Sequence, residues 1–219
     1  MIKSLTVLFL FILLGTVQTN AVSSDFLFNN DNDRDTQTLF SADISHGGYG
    51  GLLYGFTVIN NELAYLRGTR GAWIINFSDD HALNLGFGSY RTRSGFDPVE
   101  WRFDDIPEPA LSTNYSGFEM EYMNRSYMLV HFSGQTLIGS GSVRYDDRDL
   151  DDFSQISRSR DFYFVMQPGV NVNLNITSWF RMTGEISYRY ARSVNLEGTS
   201  NSDLSGLNGL IGLRFGSFR

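Results

Sequence analysis

Three histidines, a neighbouring serine and a scatter of carboxylates are the residues of this chain that could do acid–base or nucleophilic chemistry. His46, His81 and His131 are its only imidazoles. A Ser-His-acid set would have to be drawn from His131, Ser133 and Glu119. Ser133 lies two residues beyond His131, so in an extended strand the two share a face but stand ~7 Å apart. That is too far for the hydrogen bond a nucleophile needs from its base. No Gly-x-Ser-x-Gly elbow accompanies them, since Gly139-Ser140-Gly141 has the wrong order. The chain has no cysteine, which excludes thiol nucleophiles, disulfides, thiolate metal sites and lipid attached to an N-terminal cysteine. No catalytic residue is assigned, and the expectation is that the chain is not an enzyme.

The remaining polar clusters read as surface. Asp146-Asp147-Arg148-Asp149 with Asp151-Asp152, and Asp31, Asp33 and Asp35, are oxygen-rich segments of the kind that can hold Ca²⁺. The second run lacks the glycine and the closing Glu of a calcium loop, so no metal and no cofactor are assigned. Phe96, Trp101 and Phe103 stand among Asp97, Glu100, Asp104 and Asp105, as a partner anchor or as a loop folded over its own domain. The glycines at 47, 48, 50 and 51 lack the Lys-Ser/Thr of a phosphate loop and precede a strand.

Positive charge is carried by 16 Arg and one lysine, Lys3, against 24 acids in 219 residues. Lys3 stands before an apolar run from Leu5 to Leu14 and small and polar residues up to Ala21, the pattern of a cleaved signal peptide over 1–21. Roughly ten apolar residues fall short of the ~20 that a spanning helix needs. From about Val22 the formal charge is −8, which argues against nucleic acid, whose affinity rests on basic contacts. Residues 22–45 are polar and are expected to be a periplasmic N-terminal segment.

The elements that must position everything else are strands. Phe162, Phe164, Met166, Pro168, Val170, Val172, Leu174 and Ile176 alternate with Tyr163, Val165, Gln167, Gly169, Asn171, Asn173 and Asn175. Phe180 to Arg192 repeats that period of two. Eight strands are expected, at about 48–58, 62–77, 82–90, 113–124, 127–145, 161–176, 180–192 and 206–218. Their length exceeds the five or six residues usual in soluble sheets and suits tilted strands crossing a bilayer. Connections are short near Asp79-Asp80, at Asn124-Arg125-Ser126 and at Thr177-Ser178. They are long after the third, fifth and seventh strands, and only the Asn60-Asn61 hairpin is short at the long-loop end. The fold class that follows is all-β, an eight-stranded antiparallel up-and-down transmembrane β-barrel over 46–219.

Strand phase then sorts the side chains. Interface aromatics are expected at Phe162, Phe164, Tyr188 and Tyr190 near the long loops, and at Tyr122, Trp179, Phe180 and Phe215 near the short turns. An eight-stranded barrel leaves room only for side chains inside. That lumen should receive Glu119, Glu121, His131, Ser133, Gln135, Gln167, Asn171, Arg181, Glu185, Arg189 and Arg214. Counting from the short turns sets Glu119 opposite His131, Asn171 opposite Glu185 and Gln167 opposite Arg189, with Glu185 within reach of Arg214. Arg67 shares a phase with Leu63, Tyr65 and Trp73. It therefore snorkels at the headgroups, or a bulge over Gly68-Thr69-Arg70-Gly71 shifts the phase. A bulge is also expected at Pro168, which cannot donate to the ladder.

Local patterns also carry a family resemblance: His46-Gly47-Gly48-Tyr49-Gly50-Gly51, Arg70-Gly71-Ala72-Trp73-Ile74-Ile75-Asn76, Gln167-Pro168-Gly169-Val170-Asn171, Trp179-Phe180-Arg181, and the closing Gly212-Leu213-Arg214-Phe215-Gly216-Ser217-Phe218. In this order they resemble the small outer-membrane β-barrels of Gram-negative bacteria, of the eight-stranded OmpA/OmpX-like type, and more narrowly an uncharacterised set of them. The resemblance implies outer-membrane location, contact with outer-membrane lipids and recognition by the barrel-assembly machinery. It makes Leu213, Phe215 and Phe218 the assembly signal and brings no established activity. The expected role is structural or interactive, as a monomer presenting extracellular loops to an unidentified ligand. The rival classes are a narrow ion or small-solute channel and, third, a lipid-modifying enzyme.

Overall fold

The computed structural model describes residues 44–93, 109–147 and 160–218. The signal-peptide expectation, nearly all of 22–45, and loops 94–108 and 148–159 with their acids and aromatics lie outside the described residues. The strands are β1 (Ser45–Ile59), β2 (Glu62–Asn76), β3 (His81–Arg93), β4 (Pro109–Asn124), β5 (Val130–Asp147), β6 (Arg160–Asn175), β7 (Phe180–Arg192) and β8 (Gly206–Ser217), with one short helix, α1 (Asn201–Leu204), before β8. Each strand pairs antiparallel with the next, and β8 pairs back onto β1 to close the barrel. Followed round the wall from Gly47, the pairing passes Ile74, Asn84, Glu121, Gln135, Gly169, Ser187 and Asn208. It returns at Thr57, ten residues further along β1. That stagger tilts the strands and fixes a bore that side chains can fill.

Period-two alternation decides which side chains go inside, and the partition is inverted relative to a soluble protein. Leu63 (72%), Phe87 (69%) and Phe132 (67%) are exposed on the outer wall, while Glu121 (1%), Gln167 (0%) and Arg189 (0%) are enclosed. Each such apolar side chain costs about 1.5–3 kcal/mol to leave in water, so a wall of them is stable only against hydrocarbon. Closure leaves no sheet edge open to another chain.

The turns follow local chemistry. Asn60 and Asn61 both take left-handed φ, 48° and 63°, as a two-residue hairpin requires and as asparagine tolerates. The connections over 77–80, 125–129 and 176–179 lie at the other end.

Three expectations of register need correction. The β4–β5 turn runs over 125–129, with Arg125 at φ 53°, so Glu119 meets Leu137 and not His131. The partner moves by six residues, an even number, so every side chain keeps its face. No bulge interrupts β2: its pairing with β1 holds one register from Glu62 to Asn76, and Arg67 is exposed on the outer wall. At Pro168 the pairing with β7 lapses beside Gln167 and resumes at Gly169 in the same register. The missing N–H opens the ladder there without inserting a residue.

Candidate functional site

The residues that could do chemistry converge inside the barrel, in three tiers. The middle tier is ionic and is contributed by β2, β4, β7 and β8. Arg70 Nε lies 2.7 Å from Glu119 Oε1. Its Nη2 donates to Glu185 Oε2 at 2.7 Å and to the Tyr90 hydroxyl at 2.8 Å. One guanidinium thus serves two carboxylates from different strands. Beside it, Arg214 grips Glu121: Nη1 donates to Oε2 at 2.8 Å, and Nη2 to Oε1 at 3.2 Å. Glu121 also accepts from Ser133 at 2.6 Å and from Asn84 and Asn171 at 2.8 Å each. A carboxylate removed from water is tolerable only when its lone pairs are filled in this way. The planar forks of arginine suit the task better than a lysine point charge would. Room is made by glycine: a Cβ on Gly88 would stand 2.7 Å from Glu119 Oε2.

Above this belt, towards the long loops, the bore is filled by apolar and phenolic side chains. Tyr90 and Tyr115 stack at 5.0 Å, and the Tyr115 hydroxyl donates to Gln167 Oε1 at 2.8 Å. Leu66, Leu111, Val143, Tyr163 and Val165 pack around them. The β7–β8 connection then folds inward and closes the mouth, burying Leu196 and Leu204 in the same cluster. The Ser200 backbone N–H donates to Asp203 Oδ2 at 2.7 Å, starting α1. Arg189 Nε donates to the Leu204 carbonyl at 2.6 Å and holds the end of α1. The Tyr145 and Thr199 hydroxyls bond at 2.6 Å across the same mouth.

The floor is aromatic. Phe218 is buried with Tyr49, Ile74, Ala82 and Met123. The Arg181 guanidinium stacks 4.1 Å above the Phe218 ring, a cation–π contact. Arg181 also donates to Asn175 Oδ1 at 2.6 Å.

All the side chains expected in the lumen are enclosed there: Glu119, Glu121, His131, Ser133, Gln135, Gln167, Asn171, Arg181, Glu185, Arg189 and Arg214. Their partners differ in part from expectation. Glu185 faces Leu210 on β8 and pairs with Arg70, whereas Arg214 faces Arg181 and pairs with Glu121. Asn171 does stand opposite Glu185. Arg181 and Arg189 clamp the two ends and do not join the belt. His131 Nδ1 contacts the Met128 carbonyl at 3.2 Å, and Ser133 donates to Glu121, so the structure assembles no nucleophile–base pair from them.

Arg70 is the member that sequence reasoning missed, although its phase opposite to Arg67 carried the signal. Tyr90, Asn84 and Tyr49 are likewise inward and were not singled out. The expected interface aromatics all lie on the outer face: Tyr122, Phe162, Phe164, Trp179, Tyr190 and Phe215 are exposed, and Phe180 and Tyr188 half-exposed. Trp179, Phe180 and Phe215 stack together at the short-turn rim. Leu213 and Phe215 point outward as an assembly signal would, but Phe218 turns inward and serves the floor.

No family model matches the chain, and no curated protein matches it. Among solved structures it is similar to Ail, the attachment invasion locus protein of Yersinia pestis, in complex with the heparin analogue sucrose octasulfate. That likeness has 13% identity and a TM-score of 0.48, and covers 78% of this chain and 97% of that one. Neisserial surface protein A gives the same four values. The N-terminal β-barrel domain of Pseudomonas aeruginosa OprF gives 13% identity and a TM-score of 0.39, over 77% of this chain and 96% of that one. The fold rests on the chain's own pairing, stagger and inverted surface, which make it a small eight-stranded antiparallel up-and-down transmembrane β-barrel.

Proposed function

We propose that this protein is a closed outer-membrane anchor whose role is structural or interactive, exercised through its extracellular loops. The observation that carries this reading is the filled bore. Apolar and phenolic side chains, a paired ionic belt and an aromatic floor succeed one another along its length. A solute path would need water-lined clearance through all three, whereas the buried arginines hold carboxylates, carbonyls, side-chain amides or aromatic faces. The short turns and the Ser45 end of β1 face the periplasm, the opposite end of the barrel faces outward, and lipid covers the apolar wall. Leu213 and Phe215 offer an outward apolar strip to the assembly machinery, and closure without a free edge favours a monomer.

Planar-bilayer recording of the refolded barrel tests the reading. No steady unitary conductance is expected, and a reproducible conductance altered by Arg189→Ala would overturn it. Membrane fractionation and heat-modifiable migration in detergent gels test location and barrel separately. A protein soluble without detergent would defeat both.

A further inference from the structure

Among its described side chains the outer wall is unevenly charged. Among the described side chains, its outward positions hold Arg67, Arg91, Arg144, Arg160 and Arg192 and no carboxylate, and all five arginines lie on the half of the strands nearer the long loops. Two of them form a seat. Arg67 on β2 stands directly opposite Arg91 on β3, so like charges meet across one ladder rung, an arrangement that is destabilising unless an anion lies between them. Among the described residues neither has an acidic partner. Arg91 Nε donates to Asn114 Oδ1 at 2.9 Å, which fixes the guanidinium on the wall and leaves its terminal nitrogens without a described partner.

The surroundings match an amphipathic occupant. The two arginines border an open cleft of about 350 Å³. The next outward-facing rung towards the short turns pairs Thr69 with Ser89, small hydroxyl residues that leave a notch in the wall beside the guanidinia. Leu52 and Tyr54 line the cleft on the β1 side, offering apolar surface to acyl chains. On the other side of Arg67, towards the hairpin, Phe56 and Tyr65 meet edge to face as part of the upper aromatic rim. The guanidinia therefore sit just beneath the level where aromatic rings mark the lipid headgroups. Arginine there must reach phosphate, and its planar fork is built to grip phosphate oxygens in pairs.

We infer that Arg67 and Arg91, steadied by Asn114, bind the phosphate headgroup of an outer-leaflet lipid, whose acyl chains run down the wall past Leu52 and the Thr69–Ser89 notch. This rests on the membrane-barrel reading and adds a defined lipid class and seat to it.

The test uses the full mature chain folded in non-ionic micelles, with native mass spectrometry counting retained lipid. Phosphatidic acid, phosphatidylcholine and inorganic phosphate are offered in parallel. Wild type should retain phosphatidic acid in preference to phosphatidylcholine, with no equivalent protection by inorganic phosphate at the same concentration. In R67Q/R91Q the phosphatidic acid occupancy should fall about tenfold, as expected from losing charge-assisted hydrogen bonds. Thr69→Glu, which sets a carboxylate beside both arginines, should abolish retention while leaving them in place. Both variants change only outward side chains, and heat-modifiable migration verifies that each has folded. Retention by R67Q/R91Q or Thr69→Glu equal to wild type would overturn the seat. Equal protection by inorganic phosphate would overturn the lipid as its occupant. Failure of the barrel reading would look different, because the protein would then stay soluble without micelles.

Discussion

Replacing Arg70 by Met should be the most damaging removal of a single charge from the barrel interior. Arg70 stands 2.7 Å from Glu119 and 2.7 Å from Glu185, with all three side chains almost wholly enclosed. Methionine keeps much of the aliphatic volume but strands two carboxylates in a filled bore, where Arg214 is already committed to Glu121. Breaking a buried pair by removing one partner costs about 3–5 kcal/mol, and here two acids lose the same partner. With a urea dependence of roughly 1–3 kcal/mol per molar, the unfolding midpoint should fall by at least about 1 M. The assay is urea unfolding of the micelle-folded barrel, read by tryptophan emission and by heat-modifiable migration. Arg67→Met, three residues away on the same strand, is the matched control and should cost under about 1 kcal/mol, because that side chain lies on the exposed outer wall. Converting Glu119 and Glu185 to Gln together with Arg70→Met should recover most of the loss, since no uncompensated charge then remains. Equal costs for Arg70→Met and Arg67→Met, or no recovery in the triple variant, would refute the ionic belt.

Two further outcomes follow from the interior. Gly88→Val should block folding into the heat-modifiable form, because its Cβ alone would stand 2.7 Å from Glu119 Oε2 and 2.9 Å from the Tyr90 ring; Gly50→Ala, which meets nothing within 4 Å, is the tolerated comparison in the same gel. Leu204→Asp should expel α1 from the mouth, speeding protease cleavage in the β7–β8 connection by about tenfold or more in limited digestion, since a buried leucine anchor is replaced by a charge; unchanged cleavage would show that the mouth closes without it.

Most of this architecture was legible in the chain because a strand's side-chain period is two and a closed barrel has only two environments. Phase alone assigned Glu119, Glu121, Gln167, Glu185 and Arg214 to the interior and Phe162, Phe164 and Phe215 to the wall. Partners were less legible. The β4–β5 register centres three residues beyond its expected position, which moved Glu119 from His131 to Leu137 while leaving both faces intact. Pairing across β7 and β8 depends on a loop whose length does not reveal that it folds into the mouth. For that reason Glu185 was matched to Arg214, and the end-clamping role of Arg189 was not visible.

Alternation, strand length and the segregation of short turns from long connections are local properties, and they determined a transmembrane barrel with a polar interior from sequence alone. Which acid meets which arginine belongs to the closed wall. The stagger of ten residues brings β2, β4, β7 and β8 to one level, and only that convergence sets Arg70 between two glutamates. Closure likewise decided that Phe218 seals the floor, and that Arg67 faces lipid while Arg70, three residues on, holds the core. An odd step along a strand reverses its face, and the wall separates the two environments completely.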